Sequence, residues 1–277
     1  MKVYRFKFIG LVLLASTLGV TMGCKKKKDD NNPPATPKGE LELYLNPVVN
    51  TTDLVFGNTY TNGAGNNYKV TEFKLYISEV TFVREDGSEY KDNGIYLVDM
   101  SNKSIKSTTA KTAHGGKGAL VTIKGVPAGT YKGIRFTIGV PTNKNNIDAT
   151  KITDPNNPLH TNNGMYWSWN AGYIFNKFEG TYDSLGNSKP FKFHIGNSIT
   201  EDRRMRINFV NMTADTHTFI IPNNDHYVMQ CSIDVNKFFV NPDGTYHDLN
   251  VVSNRIVMGG PKATVLAQNM AKSVMKN

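Results

Sequence analysis

The sequence of 277 residues predicts an all-β protein: an antiparallel β-sandwich, Ig-like or jelly-roll-like, with long loops and a short C-terminal helix. Three observations predict it. Seven segments alternate apolar and polar residues with period two, which is the pattern of strands with one buried face. Turn sequences such as EDGSEY, VPAGTY and NPDGTY punctuate these runs. Helical spacing of apolar residues is confined to the stretch after Pro261.

Taken in order, the alternating runs are ELELYL (40–45), KVTEFKLYI (69–77), GALVTIKG (118–125), TYKGIRFTIGV (130–140), KPFKFHIG (189–196), MRINFV (205–210) and YVMQCSIDV (227–235). After Ile77 the apolar phase slips to Val80 and Phe82, which predicts a bulge near Ser78-Glu79. Segments 50–67 and 101–117 are rich in Thr, Asn, Gly and Ser and are expected as surface loops. At the C-terminus Pro261 can open a helix in which Val265, Leu266, Met270 and Val274 share a face.

The N-terminus carries a different message. Lys2, Arg5 and Lys7 precede an apolar run, Phe8 to Val20, that is too short to span a bilayer comfortably and that leads to Gly23-Cys24. This pattern is expected of a lipoprotein signal over residues 1–23, with Cys24 lipidated after cleavage. The stretch 24–38 is charged, then rich in Pro and Asn, and is expected to be a solvated tether holding domain 39–277 away from the membrane. No internal repeat or second linker divides that domain.

The formal charge of +9 is concentrated at the start of the chain, since residues 1–38 hold eight Lys/Arg against two Asp and leave +3 for the rest. So small a residual charge argues against a nucleic-acid partner. The run RRMR (203–206) is read as a solvated turn and strand start. With Cys24 lipidated, Cys231 has no partner for a disulfide, and its alternating surroundings place it in the core as a small apolar side chain.

Motifs for catalysis are missing: there is no G-x-S-x-G, no phosphate-binding glycine loop and no H-E-x-x-H. The protein is therefore expected not to be an enzyme. No two of its six histidines have the close spacing of a local metal clip, so any metal site has to be assembled by the fold. In KPFKFHIG the apolar Phe191, Phe193 and Ile195 take one face and leave Lys192 and His194 on the other, where the imidazole is either a surface residue or free to meet a ligand. The segment GMYWSWNAGYIFNKFEG (164–180) holds both tryptophans of the chain, and an extended backbone points Met165, Trp167 and Trp169 the same way. Such a pair can anchor a core, form a stacking platform for sugars, or provide an oxidisable site beside a metal.

That segment, followed by FKFHIG and later by IDVNKFF, resembles the MbnP-type copper-binding domain associated with methanobactin systems. FKLYISEVTFVREDGS, YLVDM and VPAGTYKGIRFTIGVPTNKN extend the resemblance from about Gly39 to the C-terminus. It implies an extracytoplasmic β-sandwich that binds copper through histidine nitrogens, together with a tryptophan oxidised to kynurenine by a MauG-like di-haem peroxidase. Carried onto this chain, His194 is the imidazole ligand and Trp167 or Trp169 the oxidised ring. The chain departs from the family in having no histidine after His247, where such domains often carry one before the last helix. His160 in NPLHTNNGMYW is a substitute ligand, and Met258 offers a thioether. The rival reading is a cell-surface module that binds glycan or protein without metal.

Overall fold

The computed structural model describes residues 36–101, 104–106, 118–167, 169, 172–198, 200–210 and 218–277. The expected signal, Cys24 and most of the tether lie outside these residues, as do His114 and His217. The strands run in chain order as β1 (Lys38–Val49), β2 (Thr52–Asp53), β3 (Tyr60–Thr61), β4 (Asn67–Arg84), β5 (Glu89–Lys91), β6 (Ile95–Asp99), β7 (Ser104–Lys106), β8 (Ala119–Pro127) and β9 (Gly129–Ile138). The short helix α1 (Thr142–Asn145) follows. Then come β10 (Asn176–Ser184), β11 (Asn187–Ile195), β12 (Met205–Asn208), β13 (Phe219–Ile221), β14 (His226–Asp234) and β15 (Ile256–Val257), closed by α2 (Gly260–Ser273) and β16 (Val274–Lys276).

Two sheets form an all-β sandwich. The smaller has the order β16-β14-β1-β2, with β8 on the other flank of β1. The larger is built on β12-β9-β4-β10-β11-β15, and the short strands β3, β5, β6, β7 and β13 extend its margins. Pairing is antiparallel apart from β1 with β14 and β11 with β15. Alternation in the sequence reports which face is buried and is blind to the direction of the neighbour, so these two parallel pairs are not legible in it.

The core follows from the same alternation. Leu41, Leu43 and Leu45 of β1, Phe73, Leu75 and Ile77 of β4, and Phe191, Phe193 and Ile195 of β11 are fully buried. At its centre Phe178 packs edge-on against Phe73 and also meets Phe191, Phe193, Phe238 and Phe239, the last two from a one-turn 3-10 helix after β14. The slip of phase in β4 is a bulge: the register with β9 shifts between Ser78 and Thr81, and Glu79 takes a left-handed φ of 53°.

Some elements differ from expectation. The stretch 50–67 contains β2 and β3, and Val274 begins a strand against β14 rather than continuing the helix. The expected loop 101–117 contains β7, and its residues 102–103 and 107–117 lie outside the described ones. β10 begins at Asn176, and Tyr173, Ile174 and Phe175 just before it are all buried, so they show no alternation in the sequence. The RRMR run is a strand start as expected, leading into β12 at Met205, but it is not solvated throughout. Arg203 is buried, with its guanidinium on the Gly196 carbonyl and the Thr264 hydroxyl, while Arg204 and Arg206 both bind Asp202. The Arg204 hydrogen bond is the main reason the Asp202 carboxyl sits well below its ordinary range.

Candidate functional site

The outer face of the larger sheet carries a belt of charge across three adjacent strands. β10 is the middle strand, and its Lys177 and Glu179 alternate with the core residue Phe178. In register, Lys177 lies opposite Lys74 on one side and His194 on the other, and Glu179 lies opposite Glu72 and Lys192. The ions pair along and across the strands: Lys177 Nζ is 3.0 Å from Glu72, its diagonal neighbour, and 3.6 Å from Glu179, and Lys74 Nζ is 2.7 Å from Glu72 and 3.8 Å from Asp99, its direct partner. Burial by itself would raise the Glu72 carboxyl, but hydrogen bonds from Lys74 and Lys177 outweigh it and hold the group below its usual value.

His194 closes the belt at the β11 side. Only 8% of the residue is exposed, and its Nε2 lies 2.6 Å from Glu179 Oε1. Burial depresses its pKa below the ordinary 6.5 despite the opposing pull of Glu179. At neutral pH the ring is therefore uncharged. An ionised carboxylate only accepts, so the ring proton resides on Nε2 and the Nδ1 lone pair is left unprotonated.

Next to this lies the tryptophan segment. Residues 165–167 lie antiparallel to 172–174, with the Ile174 amide donating to the Met165 carbonyl and the Trp167 amide to that of Gly172. Gly172 has φ +120°, and a Cβ there would meet the Asn145 side-chain amide at 2.7 Å, so glycine is required where the chain turns. Asn145 Oδ1 in turn accepts from the Tyr173 amide, which ties the turn to α1. Met165 and Trp167 are buried, Trp167 at 4% exposure, whereas Trp169 is 65% exposed. The two indoles remain in contact, with ring centroids 5.4 Å apart and planes tilted by 42°.

The link between Trp167 and His194 is Gly196. An ideal Cβ on Gly196 would sit 2.7 Å and 2.8 Å from two ring carbons of Trp167 and 2.4 Å from the Tyr173 carbonyl oxygen. Gly196 follows the last residue of β11, so the buried indole is seated on the chain just past that strand, two residues beyond His194. Trp167 Nε1 is buried and has no hydrogen-bond partner among the described residues; an unpaired buried N–H costs about 1–3 kcal/mol in a folded protein.

His160 takes another role. It caps the 3-10 helix Thr161–Asn163, its Nδ1 accepting from the Asn162 amide at 3.1 Å, so the neutral ring presents an N–H at Nε2. This turn ends at Gly164, whose ideal Cβ lies 3.9 Å from Lys177 Nζ, which places the turn over the belt. The remaining described histidines stand apart. His247 packs edge-on against the core residue Phe193 and bonds the Asn254 carbonyl, while His226 sits beside Asp225. Cys231 is buried in the core, and burial pushes its thiol up to about 12. Among the described residues no group of three or more His, Cys, Asp or Glu is arranged to hold a metal ion. Sequence reasoning did not single out Glu179 or Lys177. The available signal was their outward alternation in NKFEG, which a preceding wholly buried stretch conceals.

Comparison with known proteins agrees with the resemblance read from the motifs. A search of curated proteins finds no match. Among solved structures, MbnP from Methylosinus trichosporium is similar, with 15% identity, a TM-score of 0.49, and coverage of 73% of this chain and 78% of that one. The family profile of MbnP matches residues 38–258, most of the described sandwich and all of the belt and tryptophan segment. The chain belongs to the MbnP family.

Proposed function

We propose that this protein is a lipid-anchored, extracytoplasmic copper-binding protein, a carrier or scavenger rather than a catalyst, with His194 as a ligand. The observation that carries the reading is the Glu179–His194 pair on the outer face of β10 and β11. A metal-binding histidine commonly donates its other ring N–H to a carboxylate, which fixes the tautomer and aims the lone pair. His194 has that arrangement, is neutral at physiological pH, and belongs to a residue type suited to copper. His160 would join it only by giving up its cap to Asn162.

The tryptophans extend the proposal. The exposed Trp169 touches the buried Trp167, so an electron removed at the surface ring by a di-haem peroxidase partner can be replaced from the inner one. Oxidation of Trp167 by two equivalents of hydrogen peroxide adds two oxygens and yields two waters. Hydrolysis then releases formate and leaves kynurenine, a net gain of one oxygen and loss of one carbon. The product offers an aniline amine and a ketone where the indole had an N–H without a partner. Copper analysis and intact-mass spectrometry on protein coexpressed with such a peroxidase test the reading. Bound copper abolished by His194→Ala, with the mass change mapped to Trp167, supports it; copper-free protein with intact tryptophans overturns it.

The exposure of Trp169 favours a second reading, a surface module that stacks a sugar or a protein side chain on this ring without metal. Glycan binding abolished by Trp169→Ala, in protein free of copper, would select it.

A further inference from the structure

A cavity that the copper reading does not use is lined by the turn after the last long strand and by the start of α2. The turn follows from NPDGT: the Asn241 amide donates to the Thr245 carbonyl, the Gly244 amide donates to that of Asn241, and Gly244 takes the left-handed φ of 83° that closes it. On α2, Lys262 and Val265 stand three residues apart and so share a face. The cavity holds about 370 Å³, with Pro242 and Val265 as its apolar lining. This is room for one small molecule.

His247 also lines the cavity, although only 4% of the residue is exposed. Its ring stands edge-on to Phe193, and its Nε2 lies 2.9 Å from the Asn254 carbonyl. A carbonyl only accepts, so the ring proton is on Nε2 and Nδ1 is a bare acceptor, without a hydrogen-bond partner among the described residues. Burial lowers the His247 pKa below 6.5, so the ring is neutral at physiological pH. Charges of both signs join it. Lys262 Nζ lies 2.6 Å from both Ser253 Oγ and Asn254 Oδ1, has no carboxylate partner among the described residues, and keeps a third N–H to give. Asp243 accepts from the Thr245 amide and hydroxyl through Oδ1, and among the described residues its Oδ2 has no partner.

We propose that this cavity binds a free α-amino acid with an apolar side chain. The carboxylate meets Lys262, the ammonium meets His247 Nδ1 and Asp243 Oδ2, and the side chain lies on Pro242 and Val265. A simple anion would meet Asp243 and a simple cation would meet Lys262, whereas a zwitterion answers both and gives Nδ1 a donor. The proposal is independent of copper.

The test titrates the full chain, without added metal, with L-leucine and L-phenylalanine, and with two leucine analogues: isocaproate, which lacks the ammonium, and isoamylamine, which lacks the carboxylate. Amide NMR locates binding and calorimetry measures it. The expected result is saturable shifts at 241–247 and 262–265 with an amino acid. Affinity should fall about tenfold or more for either analogue and in Lys262→Met or Asp243→Asn, the scale of one lost charge-assisted contact. His247→Phe keeps a flat ring against Phe193 and should weaken binding as well. Shifts that are absent or lie elsewhere, analogues that bind as tightly as the amino acid, or unchanged affinity in Lys262→Met overturn the proposal. Lys262 and Asp243 lie outside the core, so their variants decide the matter even where His247→Phe fails to fold.

Discussion

Nε2 of His194 and Oε1 of Glu179 are 2.6 Å apart across the β10–β11 pair, and they are diagonal rather than direct partners. The direct partner of His194 is Lys177, which leans instead toward Glu72 and Glu179. Glu179 meets Lys192 directly across the pair and His194 one step along it.

Replacing Glu179 by glutamine removes the charge that draws the imidazole proton while keeping the size of the side chain. The His194 pKa, followed by NMR titration of the ring, should fall further below its wild-type value, because Glu179 is the group that raises it. Copper affinity should drop by about 10–100-fold in the same variant, by chelator competition.

Stability should depend on pH through the buried imidazoles. Burial lowers both His194 and His247 below 6.5 in the folded state, so the unfolded chain takes up protons first as the solution is acidified. Their contribution is complete above the unfolded value and is lost as pH falls through the folded one. Thermal midpoints should therefore decline as pH falls below 6.5, and His247→Gln should flatten part of that decline.

Gly196→Ala tests the contact between the indole and β11. The new methyl would meet the Tyr173 carbonyl and the Trp167 ring, and the overpacking should cost about 1–3 kcal/mol. Urea unfolding measures the loss, and a shift in tryptophan emission reports the displaced ring.

The two indoles should separate cleanly by mutation. Trp167→Ala removes a buried ring and should destabilise the sandwich by about 3–5 kcal/mol, whereas Trp169→Ala should leave the urea midpoint nearly unchanged. Acrylamide should quench Trp169 strongly and Trp167 weakly, so Trp169→Phe leaves a spectrum that is blue-shifted and protected.

Cys231 should resist alkylation in the native state, since its thiol is buried and its pKa is about 12. Rapid labelling only after unfolding is the expected result, measured by mass shift with iodoacetamide across a denaturant series.

Much of the sandwich was legible because burial on one face writes itself as alternation. β1, β4 with its bulge, β9 and β11 all appear in that pattern, and Pro261 marks the entry to α2. What was hidden depended on a second buried face. Tyr173 to Phe175 are covered on both sides, so the approach to β10 had no periodic signature and the short alternation of Lys177, Phe178 and Glu179 after it was easily passed over. The candidate site was legible in parts: His194 from the polar phase of its strand, and the tryptophans from their clustering. The seating of Trp167 on the chain just past β11 was not, because it depends on Gly196, whose only message is the absence of a side chain. His160 illustrates the opposite case, in which a residue of the right chemistry has its lone pair claimed by a local cap.

The parallel pair of β1 and β14 bears on how this molecule withstands pulling. Tension transmitted from the N-terminal side enters at Lys38 and runs along β1, which is held by nine register partners on β14 and eight on β8. Because β1 and β14 point the same way, such a load shears the whole ladder at once and cannot peel it bond by bond. A domain drawn by its leading strand is loaded through this ladder, while the belt stands on the other sheet.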